Sequence, residues 1–472
     1  MNAIEPGACW MREPSVRTFT IGESGFELYA PDSGVTRYLN ETASFIWQLL
    51  DGEQSLSQVA RELAAEFEGC TAEQALADVV ELAGSLASEG LAQPTSGTRI
   101  RPVWPGCEAG IAPREWDVAL TGKCNLSCSY CFFANEMVGR NDLSTEQWTR
   151  FFETLGKLPT RSVCLSGGEV FVRKDLWELL DCVVANGLRY SILSNGTLIR
   201  EDTITKLCEP ARRRRLSSIQ VSIDGSCAAV HDASRGAGSF ERALRAVRLL
   251  KDAGFPLTVR LTINKYNVDD LEAAAKLLLE DVGLPSFSTN DAMPMGAGCS
   301  NQGDITLSPQ QQVQAMRTLE RLATRYDGRI TATAGPLAKV KMHREMEQAR
   351  ATGTAISSYR AGHLTACGCI FSKLAVNHDG TITPCSILAT VVLGHIEKDS
   401  IPELWRSDPV LTKMRSRHTI AMRDLPECQG CEWHDYCNGS CPGLAYEQFG
   451  DVNRANLTDC YRRFLEATKD AN

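Results

Sequence analysis

Between about residues 114 and 328, strand-like and helix-like segments alternate six times, and this alternation constrains the fold more than any other feature of the sequence. The strand-like segments are WDVAL, SVCLSG, RYSILSN, SSIQVSID, LTVRLTIN and SFSTNDAMP. Amphipathic stretches such as SFERALRAVRLLKDAG lie between them. Repeated strand–helix units predict a parallel sheet with helices outside it. We therefore expect an α/β fold with an open, partial (β/α)6 barrel, whose active site lies at the carboxyl ends of the strands.

Polar or glycine-rich motifs follow the first four of these strands. They read TGKCNLSC, SGGE, SNGT and SIDG in chain order. Because the carboxyl ends of parallel strands meet at one rim of a barrel, the four motifs are expected to lie close together. The sequence therefore predicts a functional site at that rim.

The regions on either side of the barrel have different patterns. Residues 16–93 contain two strand-like segments, FELYA and VTRYLN, and then three helical periods, which predicts a winged-helix-like module. Residues 94–113 are rich in proline and glycine and predict a linker. Residues 329–364 form a bridging region with a helix expected around 337–350, and residues 365–465 are dense in cysteine.

The charge distribution argues against a nucleic-acid partner. The net charge is −9. Residues 16–92 alone hold 13 acidic residues against three arginines and no lysine, a net of −10. A winged helix that binds DNA would need the opposite sign. No apolar stretch is long enough to cross a bilayer, and the N-terminus lacks the basic-then-apolar pattern of a signal peptide, so we expect a cytoplasmic protein.

The 19 cysteines are informative in a reducing compartment, where clustered thiols indicate metal binding rather than disulfides. Cys124, Cys128 and Cys131 lie within the eight residues CNLSCSYC. Three thiolates can ligate three irons of a [4Fe–4S] cluster and leave the fourth iron open. A zinc site would need a fourth cysteine or histidine, which this stretch does not offer.

This cysteine motif, with Tyr130 before its last cysteine and Phe132 after it, resembles the signature of the radical S-adenosylmethionine (SAM) superfamily. The sequence Gly167-Gly168-Glu169 resembles the family's glycine-rich motif, with Val170 in place of the usual proline. The resemblance implies that the two glycines let the backbone approach SAM and that Glu169 accepts a hydrogen bond from its ammonium group. The full set of SAM-binding residues implied in this way is Gly167, Gly168, Glu169, Asn195, Ser222, Asp224 and Arg235. Each of them is also compatible with an ordinary turn or cap residue.

The C-terminal cysteines resemble those of the SPASM domain, an extension of radical SAM enzymes that binds auxiliary [4Fe–4S] clusters. The resemblance implies that Cys367, Cys385 and Cys441 hold the first auxiliary cluster. The number of clustered cysteines favours Cys369 as its fourth ligand; without Cys369, one iron of this cluster is open to substrate or water. The resemblance also implies a second cluster on Cys428, Cys431, Cys437 and Cys460, which makes three clusters in all. A zinc ribbon is the alternative. The dispersed cysteines are expected to be structural: Cys9, Cys70, Cys107, Cys164, Cys182, Cys208, Cys227 and Cys299.

The N-terminal module resembles the precursor-peptide-recognition domain of ribosomal peptide biosynthesis, best known from the chaperone of pyrroloquinoline quinone maturation. The resemblance rests on the stretch from YLNETASF to GEQSLSQVARELAAEF and on DVVELAGSLASEGLA. It implies that the leader of a precursor peptide adds as a strand to the sheet edge between Phe26 and Tyr38.

Together these resemblances imply a radical SAM oxidoreductase that modifies a precursor peptide through a 5′-deoxyadenosyl radical. A carbon–sulfur or carbon–carbon crosslink between side chains is the expected product, with flavodoxin or ferredoxin as the electron donor. A formylglycine-type maturase, a peptide epimerase or decarboxylase, and a non-catalytic Fe–S scaffold are the alternatives. Asp291, at the end of the sixth strand, is the candidate catalytic base, although it also fits an ordinary loop aspartate.

Overall fold

The computed structural model describes residues 4–21, 25–67, 69–95, 112–139, 141–365 and 367–469. The predicted linker at 94–113 lies outside the described residues except at its two ends, and Cys107 and the side chain of Cys369 also lie outside them. The chain forms two compact units. One contains the residues up to 114 with 152–161 and 183–189, and the other contains the remainder. Within the described residues, no helix combines the length and the apolar character that a membrane span requires.

The described residues of the first unit up to 114 form two antiparallel three-stranded sheets and three α-helices. The strand orders are β5-β1-β6 and β2-β3-β4. The elements are β1 (Cys9–Arg12), β2 (Arg17–Ile21), β3 (Gly25–Tyr29), β4 (Thr36–Leu39), α1 (Glu41–Leu49), β5 (Asp51–Ser55), α2 (Leu56–Glu66), α3 (Ala72–Ser88) and β6 (Ala92–Thr95).

The three helices of this module begin at side-chain caps that the sequence signals. Ser55 and Thr71 each form a capping box with the glutamine three residues later. The helices pack their apolar faces into one core that also contains Trp10 and Trp47. The three helices match the predicted ones, but the sequence analysis found only β3 and β4 among the strands. It missed β5 because DGEQS has no apolar residue, and β6 because AQPT contains proline.

The second sheet of this module is tied to the segments 152–161 and 183–189 of the same unit. The hydroxyl of Tyr29 donates a hydrogen bond of 2.8 Å to the carbonyl of Gly187. The buried carboxylate of Glu27 forms an ion pair with Arg161. A buried carboxylate requires such a partner, so this ion pair favours one fixed position for β3 within the unit.

The second unit is built on a ten-stranded sheet of order β13-β12-β11-β10-β9-β8-β7-β14-β15-β16. Strand β7 pairs in parallel with β8 and with β14, and β9 to β13 pair in parallel with one another, as expected for a partial barrel, whereas β15 pairs antiparallel with β14 and β16. The six predicted strands correspond to β7–β12. The strands are β7 (Glu115–Thr121), β8 (Ser162–Gly167), β9 (Arg189–Ser194), β10 (Leu216–Ser222), β11 (Leu257–Ile263), β12 (Phe287–Asp291), β13 (Ile330–Ala332), β14 (Lys373–Val376), β15 (Thr381–Thr383) and β16 (Gly394–His395).

The helices that begin in this unit include the four predicted between the strands and the one expected in the bridging region, which is α14. They are α4 (Thr145–Lys157), α5 (Leu176–Ala185), α6 (Glu201–Leu207), α7 (Pro210–Arg215), α8 (Ala228–Arg235), α9 (Ser239–Asp252), α10 (Leu271–Lys276), α11 (Ala297–Ser300), α12 (Gln302–Ile305), α13 (Pro309–Arg325), α14 (Pro336–Thr352), α15 (Cys369–Ser372), α16 (Ile401–Ser407), α17 (Pro409–Arg415), α18 (Pro442–Phe449) and α19 (Tyr461–Thr468). Helix α10 continues as a π-helical turn over Leu277–Asp281.

The cysteine-rich region extends the barrel sheet, which the sequence analysis did not anticipate. Strand β14 pairs in parallel with β7, so that Leu374 lies opposite Trp116 and Val376 lies opposite Val118. These side chains are buried. A four-residue apolar strand has too short a pattern to be recognised from sequence alone, and its burial against β7 stabilises it.

Shortly after β14, the buried His378 supports the loop that carries the first three cysteines. Its Nδ1 lies 3.0 Å from the Asp142 carboxylate, and its Nε2 lies 2.8 Å from the carbonyl oxygen of Glu136. Asp142 in turn accepts hydrogen bonds from the backbone N–H of Gly122 and the hydroxyl of Thr121. The C-terminal region therefore holds the start of the cysteine loop in place.

Replacing His378 with alanine removes a partner of Asp142 and leaves a cavity, so we expect the free energy of unfolding to fall by about 2 kcal/mol. Thermal unfolding of the anaerobically purified protein measures the change. The exposed His418 offers a matched control, His418→Ala. Equal melting temperatures for the two variants would contradict the assigned role of His378.

Candidate active site

A cavity of about 320 Å³ opens inside the barrel and at the carboxyl ends of its strands. Cys124, Cys128 and Cys131, in the loop after β7, line its wall. Val376 and Ser386 line the same wall, so the cysteine-rich region closes part of the cavity. The site therefore lies at the rim that the sequence predicts.

The three thiols are close enough to influence one another electrostatically. Burial raises the pKa of Cys128 to about 11; Arg235 opposes this rise, and the neighbouring Cys131 and Cys124 add to it. Burial also raises the pKa of Cys124 and of Cys131. Three partly buried thiols facing one cavity form a suitable donor set for an Fe–S cluster, which binds thiolates.

Gly167 and Gly168 lie on the cavity wall, but the structure shows a cause for glycine at these positions that the sequence analysis did not expect. A Cβ on Gly168 would lie 2.2 Å from the carbonyl oxygen of Lys123, and one on Gly167 would lie 2.3 Å from that of Thr121. The backbone N–H of Gly168 donates to Thr121, and that of Glu169 donates to Lys123. The glycines are therefore required for the close approach of β8 to the cysteine loop, and not only for approach to a ligand.

Glu169 is fully buried, and the cavity wall does not include it. Its carboxylate accepts hydrogen bonds of 2.8 Å from the Ser194 hydroxyl and 2.7 Å from the Asn195 backbone N–H. Burial raises the pKa of this carboxyl group, and the hydrogen bonds oppose the rise. The bonds observed join the ends of β8 and β9, and the expected contact with the SAM ammonium stays a prediction.

Asn195 and Ser222 do line the cavity. The side-chain amide of Asn195 donates to the Oδ1 of Asn125, inside the cysteine loop, at 3.0 Å. It also lies 3.9 Å from the Sγ of Cys124. Asn195 is thus placed beside the first cysteine of the motif.

Asp224 and Arg235, both predicted to contact SAM, form a buried ion pair with each other. The Arg235 Nε lies 2.5 Å from the Asp224 carboxylate, which also accepts hydrogen bonds from the Tyr130 hydroxyl and the backbone N–H of Thr262. The Arg235 guanidinium lies over the Tyr130 ring. Arg235 reaches the cavity wall whereas Asp224 does not, so Asp224 positions the arginine from behind.

Asp291, the candidate base, lies on the cavity wall at the end of β12. Its carboxylate is 3.3 Å from the Nζ of the buried Lys339, and that ammonium is also 2.8 Å from Asp459. The two carboxylates raise the pKa of Lys339 against the opposing effect of burial. Lys339 therefore faces Asp291 as a cation.

Several cavity residues were not predicted. Cys164, which the sequence analysis expects to be structural, lines the cavity, and burial raises its pKa to about 12; its structural role stays a prediction. Asp117, Gln220, Arg260 and Asn290 also face the cavity. Each lies inside a strand rather than after it, and sequence analysis expected functional residues only at strand ends.

The four cysteines implied for the second auxiliary cluster come together around another cavity. Cys428, Cys431, Cys437 and Cys460 all line it. Burial raises the pKa of Cys428 to about 12, and the other three cysteines add to that rise. Across the described part of the chain, no three His, Cys, Asp or Glu side chains converge on the position of a single metal ion. Four thiols around a cavity fit a cluster, which is larger than an ion.

Two of the cysteines implied for the first auxiliary cluster lie close together. The Cys367 thiol contributes to the raised pKa of Cys441. Beside them, the guanidinium of Arg417 is fully buried, and its Nη2 has no hydrogen-bond partner among the described residues. A buried cation that has no acidic side chain paired with it among the described residues, next to two thiols, fits a site that holds an anionic cluster.

The other two cysteines implied for this cluster are less informative. Cys385 directly precedes the 3₁₀ turn Ser386–Leu388, and the side chain of Cys369 lies outside the described residues.

Three protein families match the chain. Residues 118–278 match the radical SAM superfamily, residues 27–92 match coenzyme PQQ synthesis protein D (PqqD), and residues 367–432 match an iron–sulfur cluster-binding domain, SPASM. The chain is a radical SAM/SPASM protein with a PqqD-like module. It is a SAM-dependent enzyme that contains Fe–S clusters, as the resemblances implied.

Curated relatives and a solved structure are similar to this radical SAM/SPASM enzyme over most of its length. An AdoMet-dependent heme synthase of Methanosarcina barkeri is 29% identical over 345 residues, which are 72% of this chain and 94% of that protein. Mycofactocin maturase MftC of Mycobacterium tuberculosis is 27% identical over 330 residues, 68% of this chain and 76% of that protein. The structure of Streptococcus suis SuiB bound to its precursor peptide SuiA is similar to this chain with a TM-score of 0.63 and 14% sequence identity. The match covers 96% of this chain and 100% of SuiB, and it shows that the two proteins share a fold.

Replacing Gly168 with alanine in the enzyme would place a methyl group against the Lys123 carbonyl and displace the cysteine loop. We expect the iron content to fall by about four atoms per chain and the formation of 5′-deoxyadenosine to stop. Iron analysis and an anaerobic SAM-cleavage assay measure the two effects. Gly303→Ala is the control, because a Cβ there meets nothing within 4 Å. Normal iron content in Gly168→Ala would contradict the steric argument.

Proposed function

We propose that the enzyme modifies a ribosomally synthesised precursor peptide and forms a carbon–sulfur or carbon–carbon crosslink between two of its side chains. One observation carries this proposal: the same chain holds a PqqD-like module and a cavity lined by the three-cysteine motif. The SuiB structure contains a precursor peptide, and MftC is named as a maturase. Both similarities support a peptide substrate for this chain.

The module offers an edge strand to which a leader peptide can add. Strand β4 is an outer strand of its sheet, and Tyr38 on β4 is 64% exposed. Main-chain hydrogen bonds to such an edge give affinity, and an exposed aromatic ring packs against the added strand. The net charge of −10 over residues 16–92 favours a leader with basic residues.

Cys124, Cys128 and Cys131 would hold three irons of the SAM-binding cluster. When bound, the cluster and SAM supply a 5′-deoxyadenosyl radical, which abstracts a hydrogen atom from the peptide. The chain's own residues orient SAM from the walls of the cavity. Those proposed for this role are Gly167, Gly168, Asn195, Ser222 and Arg235. Behind the wall, Asp224 fixes Arg235, and the buried Glu169 is the proposed acceptor for the ammonium group.

Crosslink formation removes a proton and an electron from the substrate as well as the abstracted hydrogen. Asp291 faces the cavity and would accept the proton. The two C-terminal cysteine sets would hold auxiliary clusters that accept the electron, and a cytoplasmic flavodoxin or ferredoxin would supply electrons to the SAM site. Ser386, beside Cys385, lines the main cavity, so the proposed first auxiliary site adjoins the place where the substrate radical forms.

A second candidate function is a reaction of heme synthesis on a porphyrin, because the 29% identical relative is named as an AdoMet-dependent heme synthase. The alignment covers 94% of that relative but only 72% of this chain, so this chain contains segments without a counterpart in the match. A module for binding a peptide strand has no evident use in porphyrin binding. We therefore favour the peptide.

The test is an anaerobic incubation with SAM, dithionite and a candidate precursor peptide encoded beside this chain's gene, with iron coproporphyrin III in a parallel reaction. We expect 5′-deoxyadenosine and a peptide that has lost two hydrogen atoms, located by tandem mass spectrometry. Conversion of the porphyrin instead would favour the second candidate. Absence of 5′-deoxyadenosine under all conditions would indicate a non-catalytic scaffold.

In the same assay, Tyr38→Ala should weaken binding of the precursor peptide by about tenfold, because an aromatic side chain at the edge strand is lost. Cleavage of SAM without peptide should not change. Tyr266→Ala is the control, since Tyr266 is a similarly exposed tyrosine in the other unit. Equal peptide affinity in the two variants would contradict the proposed docking edge.

Replacing Asp291 with asparagine removes the proposed base while keeping the size of the side chain. We expect the crosslinked product to decrease about 100-fold while 5′-deoxyadenosine still forms in the presence of peptide. Quantifying the nucleoside and the peptide from one reaction measures this uncoupling. Asp304→Asn, at an exposed position, is the control. A crosslink yield equal to that of the control would eliminate Asp291 as the base.

A further inference from the structure

Arg260 lies in the middle of β11 and faces the cavity. In the sheet it lies opposite Ser222 on β10 and Ser288 on β12. Both neighbours are small, so the half-buried guanidinium has room within the barrel. The sequence analysis did not identify this residue, because nothing in LTVRLTIN distinguishes an inward-facing arginine from an exposed one.

Four charged side chains line the cavity, and three of them have a charged partner. Asp117 is 3.4 Å from Lys373, Asp291 is 3.3 Å from Lys339, and Arg235 is paired with Asp224. The fourth is Arg260. Among the described residues, no acidic side chain forms an ion pair with it.

The hydrogen-bonding capacity of Arg260 is also unused. Its Nε is buried and has no partner among the residues that the structure describes. Burial lowers the pKa of Arg260, and no neighbouring charge offsets the effect. An unpaired cation inside a protein is costly, and a bidentate carboxylate is the group that best compensates a guanidinium. The unpaired N–H donors of Arg260 therefore favour an anionic ligand.

We propose that Arg260 binds a carboxylate of the substrate peptide, so that the segment modified contains Asp, Glu or the C-terminus. The inference rests on the proposed function, and it adds a chemical requirement to that substrate. The Oδ1 of Asn290, on the neighbouring strand, is also buried and lacks a partner among the described residues. Asn290 is two residues along β12 from Ser288, the residue opposite Arg260, and both Asn290 and Arg260 line the cavity. Its amide oxygen can accept a backbone N–H of the same peptide, so the two side chains fit an acidic residue rather than an isolated anion.

The carboxylate of SAM is the other possible source of the negative charge, because Ser222 lies next to Arg260 in the sheet. Arg235 already provides a guanidinium on the same wall, and its Nε is held by Asp224 while its other nitrogens remain able to bind a carboxylate. Arg260 is therefore not required to compensate the SAM carboxylate. The second arginine is therefore assigned to the substrate, and the experiment must separate the two ligands.

The test uses the anaerobically reconstituted full-length enzyme with SAM bound, as wild type, Arg260→Gln and Arg260→Lys. A pool of short random peptides is selected for binding to each protein, and the composition of the bound peptides is read by sequencing. We expect wild-type enzyme to enrich Asp- and Glu-containing peptides by about tenfold or more over Arg260→Gln, the loss expected for one charge-assisted bond. Arg260→Lys should retain part of this enrichment. Arg248→Gln, an exposed arginine on α9, is the control and should behave as wild type.

The affinity of each variant for SAM is measured in parallel and should agree with that of wild type within about twofold, because the substrate and not SAM uses Arg260. A tenfold loss of SAM affinity in Arg260→Gln, with acidic peptides still enriched, would overturn the inference and assign the arginine to SAM. Enrichment of peptides without acidic residues by every protein would overturn the inference and leave the proposed function intact. If no protein enriched any peptide, the inference would fall, whereas the proposed function is decided separately by the precursor-peptide assay.

Discussion

The buried carboxylate of Asp224 connects the parts of the chain on which the active site depends. It accepts hydrogen bonds from Tyr130 in the cysteine loop, from Arg235 at the end of α8 and from the backbone of Thr262 on β11. A charge that is fully buried must be satisfied in this way, and removal of one partner would leave the others uncompensated. The ion pair therefore fixes the cysteine loop, the arginine on the cavity wall and the neighbouring strand relative to one another.

The sequence predicted the barrel strands well because βα repetition is a long-range pattern that single residues do not disturb. It located the cysteine sets because their spacing is specific. It could not show that β14 continues the sheet, since a four-residue strand has almost no pattern of its own. The sequence also could not show that Gly168 is needed for contact with Lys123. It did not show that Glu169 and Asp224 are buried behind the cavity, because a motif identifies residues but not the direction in which each side chain points.

The two acidic side chains on the cavity wall have partners that lie outside the predicted motifs. Lys373 comes from the cysteine-rich region and pairs with Asp117, and Lys339 comes from the bridging helix and pairs with Asp291. Lys339 also binds Asp459, which lines the cavity of the second auxiliary site. One buried ammonium group thus joins the walls of the two cavities. The C-terminal region contributes to the substrate site as well as to cluster binding.

The central claim is that Cys124, Cys128 and Cys131 hold a cluster with one open iron, separate from the C-terminal cysteines. Iron content and SAM cleavage of a variant with all three cysteines replaced by alanine test it most directly. The account predicts the loss of about four irons per chain and of all 5′-deoxyadenosine formation, with the remaining iron unchanged. Unchanged iron content, or continued SAM cleavage, would contradict it.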